Sequence, residues 1–291
     1  MKQTNIYLTI CICLFAEFSI RAGESKQFYF ADSLFKNKLY SIAAIEFERA
    51  FFYAEDVEEK NYSLLKKAEC LKQLEKFELA EKCLMRINYF GISDTMVYTA
   101  RHQTALCAYL SEHFTNAESQ LLQMQLSVKD TNLTSASLPL FALVLNELQK
   151  WDEAKNVLLK YIKNSSIKQT TKDSLKRETE NLYQTKNYPK LKKANKAKVL
   201  ASIIPGMGQV YAGYFWEGAA NGSFQAIALL ATAYGIYTGY YVTSAVVSFG
   251  LFQKFYAGAI VRTDFLVQKK NYKLLRNYND KLKEKIIVLK R

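Results

Sequence analysis

The sequence predicts an all-α protein in two parts, an α-solenoid of short repeats followed by a transmembrane helical hairpin. Three observations carry that expectation. A four-position pattern of small, aromatic and aliphatic residues recurs every 37 residues through the first half of the chain. The 55 residues from Val199 to Gln253 contain a single charged side chain, Glu217. The formal net charge of +13 is gathered into the two segments that flank this uncharged stretch. The division that follows is 1–23 a signal peptide, 24–165 four repeats, 166–198 a capping helix and basic linker, 199–265 a membrane hairpin with its entry turn, and 266–291 a basic C-terminal helix.

Residues 1–23 read as a targeting segment. Lys2 supplies a positive start, Ile6 to Ala16 is almost wholly apolar, and Ser19 to Gly23 offers a small-residue end in Ala22 and Gly23, interrupted by Arg21 and preceded by Glu17. The apolar run is too short to span a bilayer, which takes ~20 residues. Cys11 and Cys13 lack the small preceding residue of a lipoprotein signal, so lipidation is not expected.

The repeat is read from its period. Tyr40, Phe77, Phe114 and Trp151 are spaced 37 apart, and three residues after each comes an alanine: Ala43, Ala80, Ala117, Ala154. Nine residues before each aromatic stand Ala31, Ala68, Ala105 and Ala142, and seven after it Phe47, Leu84, Leu121 and Leu158. Small residues at two fixed places let paired helices approach closely while the aromatic fills the turn between them, which is tetratricopeptide-like logic. The usual period is ~34 residues, so each unit carries about three extra, expected in the loop between repeats. In this register a concave groove draws on Phe28, Phe35, Tyr62, Leu65, Glu69, Lys72, His102, Leu106, Tyr109 and Asn146. Such a mixed aromatic strip suits an extended peptide or a partner helix, and the alternative for any one of these residues is packing against its neighbours. Lys163 to Thr185 is polar and helix-permissive and reads as a cap on the last repeat.

The uncharged stretch has room for two spans and an entry segment. Nine of the eleven glycines lie between Gly206 and Gly258, and glycine is commoner in membrane helices than in soluble ones. Pro205 removes a backbone donor and Gly206 permits positive φ, so the chain should bend there. Gln209 and Tyr211 offer polar groups to the freed backbone. The stretch Pro205-Gly206-Met207-Gly208-Gln209-x-Tyr211-x-Gly213, followed by Trp216-x-Gly218, resembles the small two-helix membrane domain of uncharacterised bacterial envelope proteins. In those proteins a PGxGQxYxG turn leads into a helical hairpin, often behind a secretion signal and tetratricopeptide-like repeats. Phe255 to Ile260 and the Asn- and Tyr-rich basic tail extend the likeness over residues 195–280. The resemblance implies a cell-envelope, membrane-integrated protein and brings no activity with it. Neither a phosphate loop nor a dinucleotide fingerprint fits, since Gln209 and Val210 stand where Lys-Ser/Thr is needed and no third glycine follows at the required offset. Two readings of the turn stay open, a structural bend that lets the hairpin pack and a substrate-facing broken helix. Ala231, Gly235 and Gly239 recur every four residues, and Gly218 and Gly222 repeat the spacing. Such faces pack membrane helices within a hairpin or between protomers of a homo-oligomer. Arg262 and Asp264, at i,i+2, do not share a helix face and are not expected to pair.

Lys186 to Lys198 carries six basic residues and no acid, and Lys269 to Arg291 nine against Asp280 and Glu284, together the whole net charge. A nucleic-acid binder would spread its charge over a folded face. This placement points to anionic lipid headgroups at both basic flanks and not to nucleic acid. His102 and His113 have no Cys or acidic neighbours at metal spacing. Cys70 and Cys107 occupy the same place in successive repeats, but helix axes ~8–10 Å apart make a bridge unexpected, and Cys83 completes a set of small buried fillers. With no nucleophile elbow, paired carboxylates or cofactor fingerprint, the sequence reads as a non-enzyme without cofactor or metal. The favoured function is a membrane-anchored repeat scaffold of the bacterial cell envelope that binds a protein or peptide in its groove. A component of a transport or membrane-protein assembly system, with the glycine turn lining a polar path, is the alternative. Export of the repeats to the periplasm would leave both basic flanks outside, against the positive-inside rule, though long domains translocate largely regardless of charge.

Overall fold

The computed structural model describes residues 26–289, and every regular element among them is helical. The signal-peptide segment 1–23, with Cys11 and Cys13, lies outside the described residues. Two compact units divide between Ile167 and Lys168.

The first unit contains α1 (Lys26–Lys36), α2 (Tyr40–Tyr53), α3 (Val57–Gln73), α4 (Phe77–Leu84), α5 (Asp94–Leu110), α6 (Phe114–Ser127), α7 (Thr131–Ala136), α8 (Leu138–Glu147) and α9 (Trp151–Asn164). Each aromatic of the 37-residue pattern is the first residue of a helix: Tyr40 of α2, Phe77 of α4, Phe114 of α6, Trp151 of α9. The eight patterned alanines are all 1% exposed or less, and Phe47, Leu84, Leu121 and Leu158 are 2% exposed or less. Helices pack in chain order, α1 on α2, α2 on α3, α3 on α4, α4 on α5 and α5 on α6, then α6 on α8 and α8 on α9.

The turn between the helices of each pair recurs in backbone geometry. Lys38, Glu75, Glu112 and Gln149, again 37 apart, have φ between 57° and 63°. The residue after each has φ between −82° and −90° and ψ between 56° and 61°. Leu39 N–H donates to Leu34 O, Lys76 to Leu71, His113 to Ala108 and Lys150 to Leu145, each at 2.8–3.0 Å. This six-to-one bond around a left-handed residue is the Schellman closure, which satisfies carbonyls the helix end leaves open. Glycine usually holds that position; here Lys, Glu, Glu and Gln do.

Most of each 37-residue interval is taken up by helix. The connections Ala54–Asp56 and Val128–Asp130 are three residues, while α3 and α5 run 17 and α2, α6 and α9 run 14. Loop insertion, the sequence expectation, holds only for the second pair, where α4 stops after eight residues and Met85–Ser93 follows. That loop is held by buried Asn61, whose Nδ2 donates to Asn88 O (2.7 Å) and whose Oδ1 accepts from Asn88 N–H (3.0 Å). Successive pairs are joined by a repeated polar contact, Glu81 to His113 at 2.7 Å and Glu118 to Lys150 at 2.6 Å. Glu48 on α2 accepts from Lys67 on α3 (2.6 Å) and from Arg86 (2.8 Å). Cys70, Cys83 and Cys107 are free and buried. Burial pushes the Cys70 thiol up to about 12 and the Cys83 thiol up to about 11.

The second unit contains α10 (Gln169–Leu182), a 3-10 turn at Thr185–Asn187, α11 (Ala194–Ile203), α12 (Met207–Tyr211), α13 (Phe215–Tyr237), α14 (Tyr241–Thr243), a π-helical turn at Ser244–Ser248 and α15 (Phe249–Leu289). The sequence placed α10 as a cap on the last repeat. It belongs instead to the second unit, where Tyr278 Oη donates to Leu182 O (3.1 Å) and Lys285 meets Glu178 at 2.7 Å. A polar helix with few apolar residues is held by such bonds and not by a buried stripe.

Helices α13 and α15 run antiparallel. Glu217 pairs with Arg262, Phe224 stacks on Phe255 at 5.7 Å, and Gly235 abuts Ser244, each contact advancing equally along both helices. They meet at Gly239, φ 83°, with Tyr240 N–H on Gly235 O at 2.8 Å. Among the described residues one helical run, Tyr241–Ile287, is long and apolar enough to cross a membrane. The sequence expected two such spans. α13 falls short because its first half carries Glu217, Asn221 and Gln225 among small residues.

Candidate functional site

The bend between α11 and α13 is built around Pro205 and Gly206. Proline forces the preceding residue out of the helical region, and Ile204 is extended, φ −124° and ψ 116°. With Gly206 at φ 82° and Met207 N–H on Ile204 O at 3.1 Å, residues 204–207 form a turn of type II character. Gly206 O then accepts from Val210 N–H (3.1 Å), which starts α12. α12 closes on Gly213, φ 94°, with Tyr214 N–H on Gln209 O at 3.0 Å.

This bend docks backbone to backbone on α13. A Cβ on Gly206 would coincide with the carbonyl oxygen of Gly218; one on Gly218 would stand 2.6 Å from Gly206 O; one on Gly222, 2.9 Å from Pro205 O. On the other side, a Cβ on Gly208 would lie 2.6 Å from Ala197 O and 2.8 Å from Thr263 Cγ2. Gly218 and Gly222, read from sequence as a helix-packing face, therefore receive the Pro205–Gly206 turn, because a close-approaching turn needs the same four-residue spacing as a helix. Of the second set, Gly235 alone meets a neighbour, Ser244; Ala231 is exposed and Gly239 makes the tip.

Polar groups surround the docked turn. Gln209 is buried with its Oε1 unpartnered, as are Gln225 Oε1 and Thr263 Oγ1. Arg262 Nε donates to Glu217 Oε1 at 2.5 Å, and Lys198 meets Asp264 at 3.1 Å. Spacing did not reveal the partners that Arg262 and Asp264 take. A lone charge in an apolar stretch was the available signal for Glu217. Tyr211 Oη accepts from Lys193 N–H at 3.3 Å, and Lys192 and Lys196 place their ammoniums 4.9 and 5.5 Å from its ring centre.

The groove expected in the first unit is largely closed. Glu69, Lys72, His102, Leu106, Tyr109 and Asn146 are each less than a tenth exposed. Lys72 bonds Glu69 (2.5 Å) and Gln103 (2.7 Å), His102 stacks on Tyr98, and Tyr109 packs on Phe114. Lys72 on α3 reaches Gln103 on α5 before it reaches solvent, and the other five are buried. Phe28, Phe35, Tyr62 and Leu65 stay half-buried, Phe28 stacking on Tyr62 at 5.0 Å with Lys66 over the rings of Phe35 and Tyr62.

Among the described residues no group of three or more His, Cys, Asp or Glu is placed to hold a metal ion. No protein-family model matches the chain, and no curated protein and no solved structure matches it.

Proposed function

We propose that this protein is a membrane-anchored scaffold: a tetratricopeptide-like solenoid that binds a protein or peptide, tethered by a helical hairpin seated in a bacterial envelope membrane. The carrying observation is the exposed apolar surface of α13, α15 and the turns that join them. Ile227, Leu230, Tyr234, Val242, Val246 and Val261 all face outward, a load that water tolerates poorly. The ion pairs Glu217–Arg262 and Lys198–Asp264 gather at one end of this surface, and four tyrosines (Tyr234, Tyr237, Tyr240, Tyr241) at the other, the distribution expected of two membrane interfaces. The run Tyr241–Ile287 is long and apolar enough to cross a hydrocarbon core of ~30 Å. Lys254, exposed within the apolar surface, reaches the headgroups by extending its stem. The ligand's place on the solenoid is the strip Phe28, Phe35, Tyr62 and Leu65. Extraction in mild detergent should recover a reproducible protein partner that is lost with Tyr62→Ala; recovery of lipid and detergent alone would refute the scaffold. Protease added to spheroplasts should digest the repeats, and protection until lysis would overturn their export.

One observation favours the second reading, a transport or assembly component. Three unpartnered oxygens on Gln209, Gln225 and Thr263 are costly in an apolar surround unless something polar visits them. Gln209→Leu separates the two: a scaffold keeps both stability and complementation of a deletion strain, whereas a polar path leaves a stable protein that no longer complements.

A further inference from the structure

We propose that Lys192, Lys196 and Lys270, gathered around Tyr211 and Gly213, form a site for one anionic phospholipid headgroup. The inference rests on the membrane reading above. Lys192 and Lys196 both hold their ammoniums within cation–π range of the Tyr211 ring, which tethers two flexible side chains to one aromatic. Lys270 reaches the same loop from α15: its Nζ lies 3.7 Å from where a Cβ on Gly213 would stand. The scaffold beneath is tied down. Asn271, next to Lys270, accepts from Lys192 N–H (2.8 Å) and donates to Lys192 O (2.9 Å), while Tyr211 Oη holds Lys193 N–H.

Among the described residues none of the three ammoniums has a carboxylate partner, although Lys198, Arg262 and Lys285 nearby in sequence each do. Like charges held together without a counter-charge repel, and an anion placed among them relieves that repulsion. A headgroup phosphate matches this better than a side-chain carboxylate, because three point-charge donors around one tetrahedral anion need no planar fork. The source is set by position: Gly213 lies two residues before α13, beside Tyr214, Phe215 and Trp216, where the apolar surface begins. Aromatic residues of this kind mark headgroup level.

The test is native mass spectrometry of the full-length protein in detergent, with phosphatidylglycerol titrated against phosphatidylcholine. One phosphatidylglycerol should be retained in preference. Lys192→Gln/Lys196→Gln/Lys270→Gln should lower its affinity by roughly fivefold per ammonium removed, whereas Lys269→Gln/Lys273→Gln/Lys281→Gln, equal in charge change, should hardly alter it. Tyr211→Phe should keep the lipid and Tyr211→Leu should weaken it. Equal loss in both triple variants, or no preference in the wild type, overturns the site in favour of diffuse charge. Inorganic phosphate binding as tightly as the lipid overturns the choice of source. Alkaline carbonate washing of membranes is the independent arm: release of the wild-type chain refutes the anchor itself, and retention with no lipid preference refutes the headgroup site alone.

Discussion

Three alanine substitutions separate a glycine that admits a backbone from one that merely sits in a helix. In an open helix interior, Gly→Ala stabilises by ~1 kcal/mol. Gly258 in α15 has nothing within 4 Å of the added Cβ, so Gly258→Ala should show that full gain. Gly218 in α13 has the same helical advantage, but its Cβ would stand 2.6 Å from Gly206 O and 2.7 Å from Val210 Cγ2. A carbonyl oxygen in a docked turn cannot rotate away as a side-chain end can, and overpacking of this kind costs ~1–3 kcal/mol. The two terms oppose, and Gly218→Ala should come out destabilised by about 1 kcal/mol net of the propensity gain. Gly206→Ala adds a left-handed backbone penalty of ~1–2 kcal/mol to a collision with Gly218 O and gains nothing from propensity. The expected order of melting temperature in one detergent is therefore Gly258→Ala, wild type, Gly218→Ala, Gly206→Ala. If Gly218→Ala melts with Gly258→Ala, the turn does not dock on α13 as described. If Gly258→Ala is instead the damaging change, that glycine is covered by another chain.

In the first unit, Gln149→Gly should stabilise by ~0.5–1 kcal/mol, because it relieves a left-handed residue worth ~1–2 kcal/mol and returns part of that as unfolded-chain entropy; a loss of stability in thermal melts would refute the turn geometry. Glu48 provides a pH test. Burial would raise its pKa, but hydrogen bonds from Lys67 and Arg86 outweigh it and hold the carboxyl below its ordinary value. Its contribution is present above the unfolded-state value and is lost as pH falls through the folded one, so acid melts of wild type should show a decline that Glu48→Gln lacks. At neutral pH that variant should be weaker by about 1 kcal/mol.

Much of the first unit was legible because helix contacts leave a chemical trace. Ala43, Ala80, Ala117 and Ala154 are alanine for want of room, and their burial follows from the spacing that revealed them. The turns before them left none: Lys38, Glu75, Glu112 and Gln149 share a dihedral angle and no side-chain property. Their regularity is held by backbone bonds, which composition does not record. The groove was over-read for a related reason. Register places Lys72 and His102 on the right helix face but says nothing about whether Gln103 or Tyr98 closes over them. In the second unit the bend at Pro205 and Gly206 was plain. Its receptor was misassigned, because Gly218 and Gly222 carry a spacing that serves a turn as well as a helix. Tyr211 seemed one more polar neighbour of the bend until the fold brought Lys192 and Lys196 to its ring.

The buried cysteines of the first unit differ in reactivity between the folded and the unfolded chain. Burial pushes the Cys70 thiol up to about 12 and the Cys83 thiol up to about 11, so the folded protein offers little of the thiolate through which thiol exchange runs. Unfolded, the same residues ionise near 8.5 and react more readily. In an oxidising environment folding would therefore shield these sulfurs, Cys70 where α3 packs on α1 and α2, and Cys83 where α4 packs between α3 and α5.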